Sequence, residues 1–369
     1  MKPSIHQFTA GFTQGDAISN EAAALRSIFR RWGHESEIFS DPAHISPAMR
    51  STARPAAEYA SAPRAEDVAI LHLSIGSRVT DIFASLPCRK VILYHNITPP
   101  RYFERINPAT AARLREGLAS ARALAGTAEL TLADSAFNAR ELENMGHRGV
   151  RVLPLVFDLS VQRAQPDKRI LRELRDGLVN ILFVGRGVPN KKIEDAVRAF
   201  AVFQRLVEPR SRFIHAGSYA GAEIYRHIVL SDAREMRARN VVLAGTVSQP
   251  VLTAFYAAAH VFLCMSEHEG FGIPIIESMM HGVPVLAYAA AAVPETMDGA
   301  GVLVREKRWP EIAEMIGELA RPGPFREAVL RAQKARVERY FARPVEKELF
   351  ELFSPLLGEQ HGTPDSRNG

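Results

Sequence analysis

Residues 261–287 leave few folds open to the chain. Val261-Phe262-Leu263-Cys264-Met265 is an apolar run with the length of a buried strand. Ser266-Glu267-His268-Glu269-Gly270-Phe271-Gly272 follows, with two glycines that allow close backbone approach and Pro274 at a first helical turn. Residues 275–280 have a helical pattern that Gly282 stops, and Pro284-Val285-Leu286-Ala287 reads as the next buried strand. Strand, glycine loop, helix and strand make a parallel α/β unit. Its loop falls on the carboxyl edge of the sheet, where such sheets hold ligands.

The chemistry of this unit lies in the loop and the first helical turn. Backbone N–H groups at a helix N-terminus suit anions and hydroxyls. Glu269 and Glu277 bracket the segment with seven residues between them. Glu277 sits about one turn into the helix, where a carboxylate can accept two vicinal hydroxyls such as those of ribose. Glu269 projects from the loop towards a more distal hydroxylated group. The bland alternative for either residue alone is a solvated glutamate on a capped helix.

The string Glu-Gly-Phe-Gly-Ile-Pro-x-x-Glu-Ser-Met-x-x-Gly-x-Pro-Val, from Glu269 to Val285, resembles the signature of retaining, nucleotide-sugar-dependent glycosyltransferases of family 4. That resemblance implies the GT-B fold: two Rossmann-like, doubly wound α/β domains facing across a cleft. It also implies a C-terminal helix that crosses back to the first domain. By the same resemblance Glu277 binds the nucleotide ribose, while Glu269 and the backbone of Gly270, Phe271, Gly272 and Ile273 hold the donor sugar. Gly185-Arg186, with a lysine five positions later, is similar to the family's phosphate loop and carries over Arg186 and Lys191, with Lys192 the alternative. A loop meeting the base through its backbone carries over Val247.

The first half alternates strand-like runs with amphipathic helical ones, the pattern of a doubly wound parallel sheet. Strands are expected at 4–9, 37–39, 68–75, 90–94, 129–133 and 150–157, with residues 41–66 an irregular connection. Gly15-Asp16 at the first strand-to-helix turn is similar to the phosphate- and acceptor-facing loop of the family. As an N-cap, Asp16 would contribute about 1 kcal/mol instead, and both readings stand. His95 ends a strand just before Pro99-Pro100, on the ligand-bearing edge, and the family has a histidine there close to the transferred sugar. Asp134-Ser135-Ala136-Phe137-Asn138 reads as a capped helix entry. The expected domains are residues 1–165 on the acceptor side and 166–343 for the nucleotide sugar, with a crossover helix at 344–357. Residues 358–369 read as a disordered tail.

Composition removes several classes. There is no apolar run long enough to span a membrane and no signal-peptide pattern at the start, so a cytoplasmic protein is expected. Two cysteines in apolar surroundings suit free thiols in a reducing compartment. The formal charge of +5 comes from 46 basic and 41 acidic residues without a block. Nucleic acid is therefore not an expected partner, while peripheral contact with anionic lipid at the inner membrane face stays open. No Asp-x-Asp and no zinc-spaced Cys/His cluster occurs, and the resemblance implies neither metal nor cofactor. The implied reaction moves a hexosyl group, mannosyl or glucosyl, from a GDP- or UDP-sugar to a hydroxyl of a glycan or lipid-linked saccharide in polysaccharide synthesis. Arg186, Lys191, Glu269 and His95 would carry it. A sugar-nucleotide 2-epimerase and a non-catalytic nucleotide-sugar-binding partner share that fold and are the rival readings.

Overall fold

A computed structural model describes residues 2–156 and 164–358. The chain divides into two compact units: Met1–Pro100, Ala112–Asp158 and Arg343–Gly369 form the first, Arg101–Ala111 and Leu159–Ala342 the second. Residues 101–111, read from the sequence as part of the first domain, cluster with the second.

The first unit holds β1 (Ile5–Thr9), β2 (Ile38–Ser40), β3 (Arg54–Pro55), β4 (Val68–Leu73), β5 (Arg89–Tyr94), β6 (Leu130–Ala133) and β7 (Arg151–Val152). They pair in parallel in the order β3-β2-β1-β4-β5-β6-β7. All residues of β1 and β4 are buried, as expected of strands covered on both faces. The order reverses between β1 and β4, so the loops after these strands diverge at the carboxyl edge.

Two expectations need correcting. Residues 41–66 are not an irregular connection: they contain two short 3-10 turns, β3 and the helix Ala56–Ala60. Pro55 cannot donate to a ladder from its nitrogen, and it is tolerated because β3 is the sheet edge. The strand expected over 150–157 shrinks to Arg151–Val152, both exposed on the opposite edge. Beyond it Leu153, Leu155 and Val156 are buried without being strand, and Phe157 lies outside the described residues. The tail read beyond 358 lies outside them too.

The second unit holds β8 (Val179–Val184), β9 (Ser211–Ala216), β10 (Val241–Gly245), β11 (Val261–Cys264), β12 (Val285–Tyr288) and β13 (Val302–Val304). They too are parallel, in the order β10-β9-β8-β11-β12-β13. Their switch point lies between β8 and β11, where Ile181 pairs with Val261 and Leu182 with Phe262.

The last helix, Val345–Leu357, belongs to the first unit's core. Leu349, Phe353 and Leu357 are buried with Ile5, Phe29 and Val68. The rings of Phe353 and Phe29 are 5.2 Å apart, and Phe350 meets Trp32 edge-on at 5.6 Å. Arg343 anchors the start of this helix to Glu348 and to the carbonyl of Pro154. Burial of large aromatic surface by a distant segment makes that segment part of the fold. Phe353→Ala should therefore lower the unfolding free energy of the first unit by about 3–5 kcal/mol, read as a fall in the denaturant midpoint of the intact chain.

Candidate functional site

The β8–β11 pairing sets two loops side by side at the carboxyl edge of the second sheet. The first, residues 185–192, follows β8. It folds tightly against the end of β9: Gly185 N–H donates to Ala216 O at 3.0 Å and Gly187 N–H to Ser218 O at 2.8 Å. A Cβ on Gly217 would lie 1.7 Å from the Gly185 carbonyl oxygen, so only glycine fits there. Arg186 is exposed at the bend, and its guanidinium has no ion-pair partner among the described residues. A 3-10 turn, Pro189–Lys191, ends at Lys192 in the left-handed conformation, from which the helix Ile193–Leu206 departs.

The second loop, residues 265–272, is stitched to the first. Glu267 N–H donates to Asn190 O at 2.9 Å, and Asn190 Nδ2 donates to His268 O at 3.0 Å. Lys191 Nζ lies 2.5 Å from Glu269 Oε2, with both side chains largely buried. Gly272 caps the helix Ile273–Met280 at a φ of 94°, and no side chain caps that terminus. Glu277, half-buried one turn in, accepts a hydrogen bond on Oε2 from the Tyr256 hydroxyl at 2.8 Å. The site residues Arg186, Lys191, Glu269, Gly270, Phe271, Gly272, Ile273 and Glu277 thus share one edge. Val247 stands farther along the same edge, half-buried between β10 and the helix Gln249–Ala258.

Glu267 and Glu269 diverge rather than converge on a common ion. Glu267 meets Lys307 at 2.9 Å, Lys192 at 3.8 Å and the Tyr102 hydroxyl at 3.1 Å. Lys307 also pairs with Asp195 at 2.7 Å and sits 4.6 Å from the Tyr288 ring centre. Burial opposes the Glu267 charge, but Lys307 outweighs it and holds the carboxyl below its usual range. Glu267 is therefore committed to a structural cation cluster. Lys192, the alternative to Lys191, faces Glu194 and Glu267 instead of Glu269.

In the first unit Asp16 caps the helix Ala17–Arg31, accepting from Ser19 N–H at 3.0 Å, and Gly15 precedes it at a φ of 79°. His95 follows β5, with its side chain only 2% exposed. Its Nδ1 lies 3.0 Å from Asp134 Oδ2 and 3.6 Å from Glu21 Oε2. Its Nε2 lies 2.8 Å from His72 Nδ1, and His72 Nε2 lies 2.9 Å from Gln7 Oε1. Because Gln7 Nε2 donates to Ala22 O, its Oε1 faces His72 as an acceptor, and His72 must carry its proton on Nε2. His72 Nδ1 is then an acceptor, which requires a proton on His95 Nε2. The Asp134 carboxylate claims a second proton on Nδ1, so His95 is an imidazolium.

The electrostatics agree. Burial opposes the His95 charge, but Asp134 and then Glu21 overcome it and raise its pKa to about 9. Burial, reinforced by the His95 charge, drives His72 well below its ordinary value. Glu21 is pushed up to about 8, chiefly by burial and against the attraction of His95. Glu21, His72 and His95 are the one group of potential metal ligands among the described residues, with ligand atoms within 4.8 Å of one another. The 2.8 Å between the two facing imidazole nitrogens is a hydrogen-bond distance. Two nitrogens on a tetrahedral zinc stand roughly 3.3 Å apart at its usual bond lengths, so the geometry fits a shared proton better than a shared metal.

Sequence reasoning missed Asn190, Tyr256, Lys307, Glu21 and His72. It read Asp134 as part of a helix entry. The entry is capped by Ser135, which accepts from Asn138 N–H, while Asp134 turns to His95.

With this geometry in place, comparison with known proteins is informative. Residues 179–321 match the family described as glycosyl transferases group 1. That stretch runs from β8 through β13 into the helix Trp309–Ala320, so the likeness lies in the second unit. The chain is 29% identical over 161 residues to O-antigen chain mannosyltransferase B of Escherichia coli, a match covering 43% of this chain and 41% of that protein. The chain spans about half the length of the curated relatives it matches, between 41% and 58% for the first three. Sucrose-phosphate synthase of Thermosynechococcus elongatus superposes with a TM-score of 0.74 at 18% identity, covering 96% of this chain and 99% of that one. HepE of Anabaena in complex with UDP-glucose gives 0.71 at 17% identity, covering 95% and 99%. At such identities these structures establish the fold, which is GT-B. Among the described residues no helix is long and apolar enough to cross a membrane.

Two measurements test the site as built. Lys191 and Glu269 are partners, so removing either leaves a largely buried charge unpaired. A double-mutant cycle with Lys191→Met and Glu269→Gln should give a stability coupling of about 1–3 kcal/mol, with the double variant more stable than the sum of the single losses. The second test uses pH. Glu21 and His95 bind protons more tightly folded than unfolded, so stability falls as pH rises from 4.5 to about 8 for Glu21 and from 6.5 to about 9 for His95. His72 acts oppositely, and its contribution is lost on acidification below 6.5. Between pH 6.5 and 9 denaturation midpoints should therefore decline, and Glu21→Gln should make that decline shallower.

Proposed function

We propose that the protein is a retaining glycosyltransferase that moves a hexosyl group from a nucleoside diphosphate sugar to an acceptor hydroxyl. The observation that carries this reading is the joint edge of the loops after β8 and β11, where a cationic turn, an uncapped helix N-terminus and two glutamates stand together. The mannosyltransferase relative and the UDP-glucose complex of HepE support a hexosyl donor of the GDP-mannose or UDP-glucose type. Glycan or lipid-linked saccharide is the acceptor class that fits an O-antigen relative.

The chemical difficulty is departure of a diphosphate while positive charge builds at the anomeric carbon. In this proposal Arg186 forks onto phosphate oxygens and Lys191 supplies a point charge. The helix Ile273–Met280 adds its N-terminal dipole, so fixed cations meet the growing negative charge without a divalent ion. Glu269 takes donor-sugar hydroxyls and orients Lys191 through their ion pair. Glu277 takes the ribose diol, and Val247 lines the base through its backbone. In the first unit Gly15 and Asp16 are assigned to donor binding, on a loop that faces phosphate and acceptor, and the His95 imidazolium acts as a fixed charge close to the transferred sugar. Neither ring nitrogen is left over for a general base, which suits a mechanism in which the leaving phosphate takes the acceptor proton. An epimerase would need an acid and a base flanking the sugar in addition to Lys191 and Glu269, which this proposal assigns to the donor.

The test is transfer from GDP-mannose and UDP-glucose, with the product anomer read by NMR and rates taken in excess EDTA. Retention and activity in EDTA are expected, and Arg186→Ala should cost about 3–4 kcal/mol in the transition state, as loss of one charge-stabilising donor does elsewhere. Activity abolished by EDTA and restored by Mg²⁺, with Arg186→Ala near wild type, would overturn the metal-free reading.

A further inference from the structure

We infer that Tyr256 is a positioning residue that holds the Glu277 carboxylate in the orientation that recognises ribose. The inference rests on the reading of Glu277 as the ribose acceptor and adds a residue that the motif itself does not contain. Tyr256 lies in the helix Gln249–Ala258, one element before β11, with only 1% of its surface exposed. Its hydroxyl donates to Glu277 Oε2 at 2.8 Å. The His281 ring stacks on the phenol with centroids 4.8 Å apart and planes 7° from parallel. Phe262 of β11 stacks more distantly, at 6.5 Å and 24°. The phenol is thus clamped between a strand and the end of the helix that carries Glu277.

The orientation of the bond follows from chemistry. An ionised carboxylate only accepts, so the phenol must donate. Burial, and then the Glu277 charge, raise the Tyr256 pKa well above the ordinary tyrosine value, so this donor keeps its proton at any physiological pH. A glutamate side chain has three rotatable bonds, and fixing it costs rotamer entropy. With Oε2 tied to a rigid phenol, that ordering is already done before nucleotide arrives, and the hydrogen bond to the ribose diol is correspondingly more selective. A site built to accept from hydroxyls rejects the analogue that lacks them. Tyr256 therefore tunes discrimination between ribose and its deoxygenated counterparts, not affinity for the base or the phosphates.

The experiment measures binding of UDP and GDP, each against its 2′,3′-dideoxyribose analogue, by calorimetry on the full chain. The readout is the ratio of the two dissociation constants for the nucleotide that binds. Tyr256→Phe keeps the ring and its stacking but removes the donor, and should shrink that ratio about tenfold. A merely structural role would weaken both ligands alike and leave the ratio unchanged. Glu277→Gln in parallel tests the underlying reading. If it preserves the ratio, Glu277 is not the ribose acceptor and the reading of that subsite falls. If it collapses the ratio while Tyr256→Phe does not, the subsite stands and the positioning role is overturned. Should Tyr256→Phe fail to fold, His281→Ala removes the stacked clamp without touching either hydrogen-bonding group. That variant should also shrink the ratio, and an unchanged value would equally overturn the inference.

Discussion

The second unit depends on one constraint, the parallel pairing of β8 with β11. A parallel strand cannot reach its neighbour by a tight turn, so a long stretch of chain separates these two adjacent strands. The result is that loops far apart in sequence start from neighbouring points on one edge. Hydrogen bonds through Asn190 and the Lys191–Glu269 pair then fix the two loops to each other. Neither loop has this shape from its own residues alone. Lys191 of one loop and Glu269 of the other define each other's position.

A different solution operates in the first unit, where charge is concentrated inside the sheet edge. Four ionisable side chains, Glu21, His72, His95 and Asp134, are buried within one hydrogen-bonded group. An unpaired charge in such a place would be expensive, and the arrangement avoids it by matching one cation to one carboxylate and keeping the other two groups neutral. Gln7 completes the group by fixing the outer proton of His72. The order of protons along the chain of rings is thus set by a backbone carbonyl, that of Ala22, at one end and a carboxylate at the other.

Much of this was readable in the sequence. The buried strands and the loops after them declare themselves through apolar runs broken by glycine and proline, and the long motif from Glu269 to Val285 places the helix N-terminus and both glutamates. What escaped was contact between distant residues. Lys191 and Glu269 both stood out, but no local pattern says that they touch. His95 was read from its place after a strand, while no local pattern marked Glu21, His72 or Asp134 as the groups that set its charge. Local bias also misled at the sheet edges. Residues 41–66 look irregular because Pro, Ala and Ser dominate, yet β2 offers a free edge that Arg54–Pro55 can join. Residues 150–157 look like a buried strand, but among the described ones only Arg151 and Val152 pair as strand with β6, with one further bond from Leu153 N–H to Ala133 O.

The return of the helix Val345–Leu357 to the first unit has a consequence for biosynthesis. During translation the sheet β1–β7 emerges long before Leu349 and Phe353, which complete its core, and the whole of the second unit is made in the interval. At elongation rates of about 5–20 residues per second that wait is on the order of ten seconds or more. Over that time the apolar face around Ile5 and Phe29 lacks its cover, and the second unit reaches its full sequence, at Ala342, just before the covering helix is made. The order of completion is therefore the reverse of the order of synthesis, and the exposed face of the nascent first unit is a natural client for a chaperone that binds apolar surface.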